Sequence, residues 1–473
     1  MRPVTLEWAG KSAALAPLTR PLVALEPVER AGRGDEPRGR LVQGDAVDVA
    51  RALVAEGLGA KVDLVYLDPP FGSGVDYAHE ERLDGAADGR VARARAYVDT
   101  WGGGPADYLD MLYPRLAAVA PLLAPTGSVW VHLDWRASYL VRALCDEIFG
   151  RERFLNEIVW RRAPNLGRQA RSGQFGRTLD TLLVYGGPNA RLVPPTRRTE
   201  VPASGARVDA EGRSFTLAPR GDYTDASVAR LDAEGRIHRT ASGRVYVKYW
   251  VDRDADGRLW KAQPVDTLWT DVPPLRHASP EERTGYPTQK PRALLERIVA
   301  AASPPGGLVV DLFAGSGTTG AAAWALGRRF VLADVGDVAI AAARARLLRD
   351  GVDDLSVERC GRSPASCPGV SATARREHDG SVEVIVHASA DHEPIAWSVG
   401  LRRGPGGCVE VLAHHERGTG RSPAPLALRS VVAAGAERTL ALRVLHVDGT
   451  VAELDVSVRA ATTARSAARA GAA

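Results

Sequence analysis

The chain has 473 residues, of which 45% are hydrophobic and 25% are charged. This length exceeds one ordinary domain and the composition is globular, so we expect two or three units with sizeable cores. Apolar runs stay well short of the roughly 18 residues that a membrane span needs, and the N-terminus shows no secretory signal. We therefore expect a cytoplasmic protein without membrane association. The net charge of +4 is too small to indicate a nucleic-acid partner by itself.

The first part of the chain alternates strands with helices. Residues 1–40 show no clear period and are predicted to form a surface arm. A strand at 41–45 ends on Asp45, and an apolar strand at 62–67 runs into Asp68-Pro69-Pro70-Phe71, where two prolines stop both sheet and helix. Further strands are predicted at 127–133, 154–160 and 181–185, and helices at 46–56, 105–124 and 137–149. This alternation predicts a doubly wound, mostly parallel α/β sheet.

The remaining segments differ in character. Residues 191–285 break into short pieces rich in Arg, Asp, Gly and Pro, and alternation resumes over 286–358. These later elements complete the sheet that residues 41–190 begin. Strand-like segments without helices predict a separate all-β domain at 365–458, and the Ala- and Arg-rich stretch 459–473 is predicted to be disordered.

Metal-ligand patterns are lacking in the sequence. The cysteines are scattered, at Cys145, Cys360, Cys367 and Cys408. The pair His414-His415 offers no ligand set either, because adjacent residues on a strand point to opposite faces. We predict reduced thiols and no metal site.

A glycine-rich turn follows the strand predicted at 308–313. Gly315 and Gly317 allow close backbone approach to a ligand, and the helix that begins near Thr318 favours an anion at its N-terminus. Asp334 ends the next strand, where a carboxylate can bond both hydroxyls of a ribose. The turn also fits G-x-G-x-x-G, so a nicotinamide dehydrogenase and a turn without ligand are alternatives. Too few elements follow Asp334 to complete a dehydrogenase sheet.

The loop from Asp68 to Phe71 suits one kind of chemistry. Exocyclic amines of bases are poor nucleophiles because the nitrogen lone pair is delocalised into the ring. Asp68 and the backbone carbonyl of Pro69 offer two acceptors for the amino N–H groups, Pro70 adds rigidity, and Phe71 offers a face for an extruded base. A generic turn with a buried aromatic is the alternative for these four residues taken alone.

Together and in this order, the motifs resemble the β-class amino-methyltransferases of DNA, in the N-4/N-6 DNA methylase family. The resemblance covers about residues 40–350 and rests on Gln43-Gly44-Asp45, DPPF, GSVWVHLD at 127–134, NEIVWRR at 156–162, GYPTQKP at 285–291 and DLFAGSGTTG at 311–320. It implies a circularly permuted sheet and methyl transfer from S-adenosyl-L-methionine to adenine N6 of a flipped base in a specific DNA sequence.

The resemblance also bears on the target base. A leading Asp favours adenine in this family, whereas cytosine N4 enzymes usually lead with Ser, so N4 methylation is the alternative. Phe71 stands where the family typically has Tyr, which keeps stacking but removes a hydroxyl. C5-cytosine methylation needs a Cys nucleophile in a Pro-Cys loop, and no cysteine is so placed.

Roles for matching residues follow from the resemblance. Asp68, Pro69, Pro70 and Phe71 form the catalytic loop. The implied cofactor contacts are Asp45 at the adenine amino group, Asp311 and Phe313 beside the methionine end, Gly315 and Gly317 at close backbone approach, Thr318 near the carboxylate, Asp334 at the ribose, and Thr288 and Lys290 bordering the carboxylate. Trp160 stands where members often hold an aromatic over the flipped base, and a buried core tryptophan is the alternative.

A run of arginines without acidic residues lies between Trp160 and Asp180. Its members are Arg161, Arg162, Arg168, Arg171 and Arg177. We expect them to meet DNA phosphates, with a solvated charged loop as the alternative, and we expect target recognition in residues 191–285.

The resemblance also implies binding partners for this chain. The principal one is double-stranded DNA, and a restriction subunit and a second copy of the chain are further candidates. A structured RNA substrate is a lesser alternative. An alternative outside the enzymes is a DNA-binding subunit without catalytic activity. Such a subunit would have no physical need to keep Asp68, Gly315, Gly317 and Asp334 together.

Overall fold

The computed structural model describes residues 5–11, 25–31, 37–82, 91–164, 173–360, 370–377, 379–388, 394–403, 408–416, 427–434, 437, 439–446 and 451–459. The chain divides into two compact units. The smaller is Val193–Asp266, and the larger joins Met1–Leu192 to Thr267–Ala473. None of the described helices has the length and apolar character needed to cross a membrane.

The first stretch of the larger unit alternates strands and helices, as predicted. Its elements are β1 (Leu25–Ala31), β2 (Gly39–Gln43), α1 (Ala46–Leu53), β3 (Val62–Leu67), β4 (Tyr77–Arg82), β5 (Val91–Tyr97), α2 (Pro105–Val119), β6 (Leu123–Leu133), α3 (Ser138–Cys145), β7 (Phe154–Arg161) and β8 (Leu179–Gly186). Helix starts follow ordinary signals. Asp45 caps α1 by accepting from the N–H of Val47, and Pro105 opens α2, where a missing N–H costs nothing.

The smaller unit consists of two short antiparallel sheets and a helix. Its elements are β9 (Thr196–Val201), β10 (Arg207–Val208), β11 (Ser214–Pro219), α4 (Asp225–Ala233), β12 (Ile237–Arg239), β13 (Val245–Trp250), β14 (Asp252–Arg253) and β15 (Leu259–Pro264). Strands β10, β11, β13 and β12 pair in that order, as do β14, β15 and β9. The unit is narrower than the 191–285 region predicted for target recognition, because residues 267–285 belong to the larger unit.

The larger unit resumes with the elements that complete its sheet and ends in strands without helices. They are β16 (Leu268–Trp269), α5 (Arg292–Ala302), β17 (Leu308–Asp311), α6 (Thr318–Ala325), β18 (Arg329–Asp334), α7 (Asp337–Arg349), β19 (Leu355–Cys360), β20 (Val370–Arg376), β21 (Val382–Ala388), β22 (Pro394–Arg403), β23 (Cys408–Glu416), β24 (Arg429–Val432), β25 (Thr439–His446) and β26 (Val451–Arg459).

The central sheet of the larger unit is doubly wound and mostly parallel, as predicted. Its strands pair in the order β1–β19–β2–β18–β17–β3–β6–β8–β7–β16. All neighbouring pairs from β19 through β6 are parallel. Strands β17 and β18 come late in the chain yet lie between β2 and β3. This order confirms the permuted connection that the resemblance implied.

The central strands are apolar along almost their whole length. Every residue of β17 is buried, and so is all of β3 except Asp63. Continuous apolar strands are typical of a parallel sheet covered on both faces. Burying one Leu or Val side chain stabilises the fold by about 1.5–3 kcal/mol, so these strands hold the core together. Their shared direction brings their carboxyl ends to one edge of the sheet.

The N-terminal residues are more than the surface arm we predicted. The indole N–H of Trp8 donates to Asp110 at 2.6 Å, and Lys11 pairs with Glu147 at 2.7 Å. Strand β1 pairs antiparallel with β19 and thereby adds an edge strand to the sheet. These contacts involve residues at least 100 positions away, which a local pattern does not reveal.

The C-terminal strands form the expected all-β region with a core of its own, centred on Trp397 and Val399. This region is nonetheless part of the larger compact unit. Strand β1 pairs with β23 as well as with β19, and Arg359 bonds Glu453 at 3.0 Å. Apart from Arg459, the tail predicted to be disordered lies outside the described residues.

Candidate active site

A cavity of about 470 Å³ opens at the carboxyl edge of the parallel strands. Strands β2, β3, β17 and β18 all point toward it, so acidic residues at or just after their ends converge there. Asp45, Asp68, Asp311 and Asp334 line the cavity. Residues separated by up to 289 positions are thus brought together by strand direction alone.

The catalytic-loop residues predicted from sequence form one wall. Asp68, Pro69, Pro70 and Phe71 all line the cavity. Behind them, the buried carboxylate of Asp99 accepts from the backbone N–H groups of Gly72 at 2.7 Å and Ser73 at 2.9 Å. Asp99 therefore holds the end of the loop in place. The sequence analysis did not identify it.

Lys290, which the resemblance placed beside the cofactor's carboxylate, lines the cavity and lies against this loop. Its Nζ donates to Asp68 Oδ2 and stands 5.0 Å from the centre of the Phe71 ring. Lys290 is almost fully buried, so this ion pair is shielded from water. The other carboxylate oxygen of Asp68, Oδ1, is buried and has no hydrogen-bond partner among the described residues. The loop thus presents one neutralised oxygen and one free acceptor.

The glycine turn between β17 and α6 forms the opposite wall. Gly315 has φ +47° and Gly317 has φ +72°, both in the left-handed region that favours glycine. A Cβ on Gly317 would lie 2.9 Å from the Cα of Ala343, so α7 can pack closely only because this residue is glycine. The turn therefore lets α6 begin directly at the cavity.

Asp334 braces this turn from the end of β18. Its Oδ2 accepts from the N–H of Gly315 and its Oδ1 from the N–H of Gly336, both at 2.9 Å. Burial raises the pKa of Asp334 in spite of these hydrogen bonds. A carboxylate has about four acceptor positions, so Asp334 can still accept from a ligand.

Asp311 is buried at the end of β17. It accepts from the N–H of Phe313 at 2.9 Å and from the hydroxyl of Thr319. Burial raises its pKa to about 7, aided by the negative charges of Asp68 and Asp334. Phe313 lines the cavity beside it. With a pKa of about 7, Asp311 is about half protonated at neutral pH, whereas an ordinary aspartate is fully ionised there.

Two more predicted cofactor residues lie at the cavity rim. Asp45 caps α1 and pairs with Arg115. Thr288 has φ +58°, an unusual value for a residue with a Cβ, and its hydroxyl bonds the Tyr97 hydroxyl at 3.0 Å. Burial raises the pKa of Tyr97, which stays a neutral phenol. The contact joins the predicted PTQKP turn to β5.

Thr318 lies at the start of α6 and also lines the cavity. Its hydroxyl donates to the carbonyl of Lys290 at 3.2 Å and accepts from Arg346 at 2.6 Å. Arg346 is fully buried on α7. The sequence analysis did not identify it, because an arginine in an Ala-rich helix is ordinarily a surface residue.

A second buried network lies behind Phe71. His132 bonds the hydroxyl of Tyr66 at 2.8 Å and the carboxylate of Asp180 at 3.2 Å. Asp180 also pairs with Arg162 at 2.7 Å, and its pKa is lowered by His132, Lys290 and Arg162 despite burial. The GSVWVHLD motif contained this histidine, but no local signal identified its partners.

Trp160 is a buried tryptophan, which was the alternative to a contact with the flipped base. Only 2% of its surface is exposed, and its indole N–H donates to the carbonyl of Val272 at 3.0 Å. It also meets His132 edge to face at 5.8 Å. In these contacts Trp160 is part of the buried layer that supports His132.

The described arginines among those predicted to contact DNA differ in their surroundings. Arg161 is exposed at the end of β7, whereas Arg162 is engaged with Asp180. Arg177 stacks over the Trp135 ring at 3.9 Å. Arg168 and Arg171 lie outside the described residues.

The relatives of this chain include methyltransferases and the Mod subunit of a restriction-modification enzyme. It is 30% identical over 300 residues to the type II methyltransferase M.EcaI of Enterobacter cloacae, covering 58% of this chain and 62% of that one. It is 25% identical over 326 residues to the type III restriction-modification enzyme StyLTI Mod subunit of Salmonella typhimurium, covering 60% and 49%. It is 25% identical over 291 residues to the DNA adenine methyltransferase YhdJ of Escherichia coli, covering 62% and 76%. The matches thus span less than two thirds of the first two relatives.

Solved structures and family models extend this comparison. The structure of the M1.HpyAVI–SAM complex aligns with 65% of this chain and 98% of that one, at 18% identity and a TM-score of 0.38. The model of the DNA methylase family, which joins N6 and N4 methyltransferases, matches residues 62–344, more than half of the chain. Together with the permuted sheet and the converging loops, this match shows that the protein belongs to the DNA methylase family.

Proposed function

We propose that this protein is a site-specific DNA methyltransferase that transfers the methyl group of S-adenosyl-L-methionine to adenine N6. The observation that carries the proposal is the buried Oδ1 of Asp68. It lacks a hydrogen-bond partner among the described residues and faces the same cavity as Gly315 and Asp334. A buried acceptor left unsatisfied costs about 1–3 kcal/mol, and an amino N–H of a substrate would satisfy it.

The residues of the cavity fit the proposed cofactor. A volume of about 470 Å³ is within the usual range for a cofactor-sized ligand. Asp45 and Asp334 offer carboxylate acceptors suited to an adenine amino group and a ribose, and Gly315 leaves the turn's backbone open to close approach. When bound, S-adenosyl-L-methionine supplies an electrophilic methyl group.

Asp68 acts on the amino group of the base. Its Oδ1 accepts one N–H, while the carbonyl of Pro69 accepts the other, and the two contacts draw the nitrogen toward tetrahedral geometry. Lys290 donates to Oδ2, which fixes the orientation of the carboxylate. Asp68 Oδ1 is then positioned to take the proton that the amino group loses. Phe71 supports the flipped base by stacking.

Adenine is the proposed target because Asp68, and not a serine, leads the loop. The name of the relative YhdJ, a DNA adenine methyltransferase, supports this choice. Cytosine N4 is the competing outcome, since both modifications occur in the family.

Double-stranded DNA is the proposed substrate, and the smaller unit is the proposed target-recognition module. Within Val193–Asp266, cationic side chains stack on aromatic rings: Arg213 on Trp250 at 4.2 Å and Lys261 on Tyr249 at 4.1 Å. Such pairs suit a surface that meets both phosphates and bases. The exposed Arg161 of the larger unit is a further candidate for phosphate contact. A restriction subunit is a proposed partner, on the strength of the StyLTI Mod relative.

The test is expression in a host that lacks its own DNA methylation, followed by mass spectrometry of the digested nucleosides. We expect N6-methyldeoxyadenosine, and Asp68→Ala should lower its formation by about 10² or more, because a positioned acceptor is lost. Asp353→Ala, which changes an exposed aspartate away from the cavity, is the control. N4-methyldeoxycytidine would replace the adenine assignment, and full activity of Asp68→Ala would overturn the proposed mechanism.

A further inference from the structure

Arg346 is a buried cation directly behind the cavity wall. It is 1% exposed, and its Nη1 donates to the hydroxyl of Thr318 at 2.6 Å. Thr318 in turn lines the cavity at the start of α6. A single hydroxyl group therefore separates the positive charge from the space that a ligand would fill.

The charge of Arg346 is only partly compensated by the protein. Asp350, the acidic group that pairs with it, lies 3.7 Å away and also pairs with Arg292. Burial lowers the pKa of Arg346 to about 10, with Asp350 and Glu282 acting against the shift and Arg349 and Arg292 adding to it. Removing a charge from water costs several kcal/mol, so an anion nearby would stabilise this arrangement.

The cavity needs such a cation. Its described lining carries two basic side chains, Lys290 and Arg115. Each is already engaged by an aspartate of the same cavity, Lys290 by Asp68 and Arg115 by Asp45. Further aspartates line the wall, so a ligand carboxylate entering here meets a net negative surface unless another positive charge is close.

We propose that Arg346, acting through the Thr318 hydroxyl and with the N-terminus of α6, stabilises the carboxylate of the cofactor's amino-acid end. This inference rests on the proposed function. The hydroxyl of Thr318 accepts from Arg346 and has one proton of its own. Its other partners are the carbonyl of Lys290 and the hydroxyl of Ser316, and the proton can turn from them to a carboxylate. Arg346 is thus a positioning residue that takes the place expected for Lys290.

The test measures binding by calorimetry with two probes. S-adenosylhomocysteine carries the amino-acid carboxylate, whereas 5′-methylthioadenosine shares the adenosine and sulfur but lacks it. Arg346→Met should weaken binding of S-adenosylhomocysteine roughly tenfold, the scale of one charge-assisted hydrogen bond. Binding of 5′-methylthioadenosine should stay within about twofold. Arg346→Lys should restore part of the affinity, and Arg349→Met, an exposed arginine on the same helix, is the control.

The results of this experiment distinguish a failure of the inference about Arg346 from a failure of the proposed function. An equal loss of affinity for both probes would show that Arg346 only shapes the turn, and would overturn the inference while leaving the proposed function intact. A wild-type protein that binds neither probe would refute the proposed function itself, and the inference with it. If Arg346→Met does not fold, as judged by thermal unfolding, Thr318→Val replaces it. This substitution keeps the side-chain shape, removes the hydroxyl and should give the same selective loss.

Discussion

Replacing Asp311 with asparagine should make the stability of this protein less sensitive to a rise in pH from about 4 to about 7. Burial raises the pKa of Asp311 to about 7 from an ordinary 3.8. The folded state therefore binds this proton more tightly than the unfolded state does. The stabilisation from the proton is complete below about pH 4 and is lost as the pH rises from about 4 to about 7.

The magnitude follows from the separation of the two pKa values. The folded-state pKa of about 7 exceeds the ordinary value of 3.8 by about 3, and each pKa unit corresponds to about 1.4 kcal/mol. The free energy of unfolding therefore falls by about 4 kcal/mol in total. Between pH 5 and pH 8 the loss is about 2–3 kcal/mol, because part of it has occurred below pH 5. The asparagine amide does not ionise in this pH range, so the variant lacks this pH-dependent loss of stability. It can still accept from the N–H of Phe313, and its amide can donate to the Thr319 hydroxyl after that hydroxyl turns.

The assay is urea unfolding of wild type and Asp311→Asn at several pH values. The free energy of unfolding of the variant, relative to wild type, should rise by about 2–3 kcal/mol from pH 5 to pH 8. Asp353→Asn, at an exposed aspartate, should leave the pH dependence unchanged. Parallel curves for wild type and Asp311→Asn would mean that the Asp311 carboxylate ionises normally, and the reasoning from burial would be refuted.

Two further substitutions test the walls of the cavity. Gly317→Ala should destabilise the fold by about 2 kcal/mol or more, since φ is +72° and the new Cβ would meet the backbone of α7 at 2.9 Å. Gly327→Ala, at φ +71° but with no atom within 4 Å, should cost only about 1 kcal/mol, and equal losses in urea unfolding would contradict the packing role. Lys290→Met should lower the rate of methyl transfer at least about tenfold, because Asp68 loses its partner. Its affinity for S-adenosylhomocysteine should stay within a few fold, and a selective loss of that affinity would instead support the carboxylate contact first expected for Lys290.

The sequence by itself determined the elements of the sheet and the location of the site. Apolar runs mark β3, β6 and β17, and acidic residues follow or end the strands that meet at the cavity. Strand direction depends on local alternation with helices, so the convergence of Asp68, Asp311 and Asp334 at one edge could be predicted. The glycines of the turn were equally visible, because positive φ requires that residue type.

Only the tertiary structure decided which side chains are paired. Lys290 lies 222 positions from Asp68, and nothing local distinguishes this partner from a cofactor carboxylate. Trp160 is buried because a carbonyl 112 positions away receives its N–H, and Arg346 is buried because α7 packs behind the glycine turn. Periodicity reports which face of an element is apolar, whereas the charge balance of a site depends on contacts between elements distant in the chain. That balance is why the cation expected from Lys290 is proposed to come from Arg346.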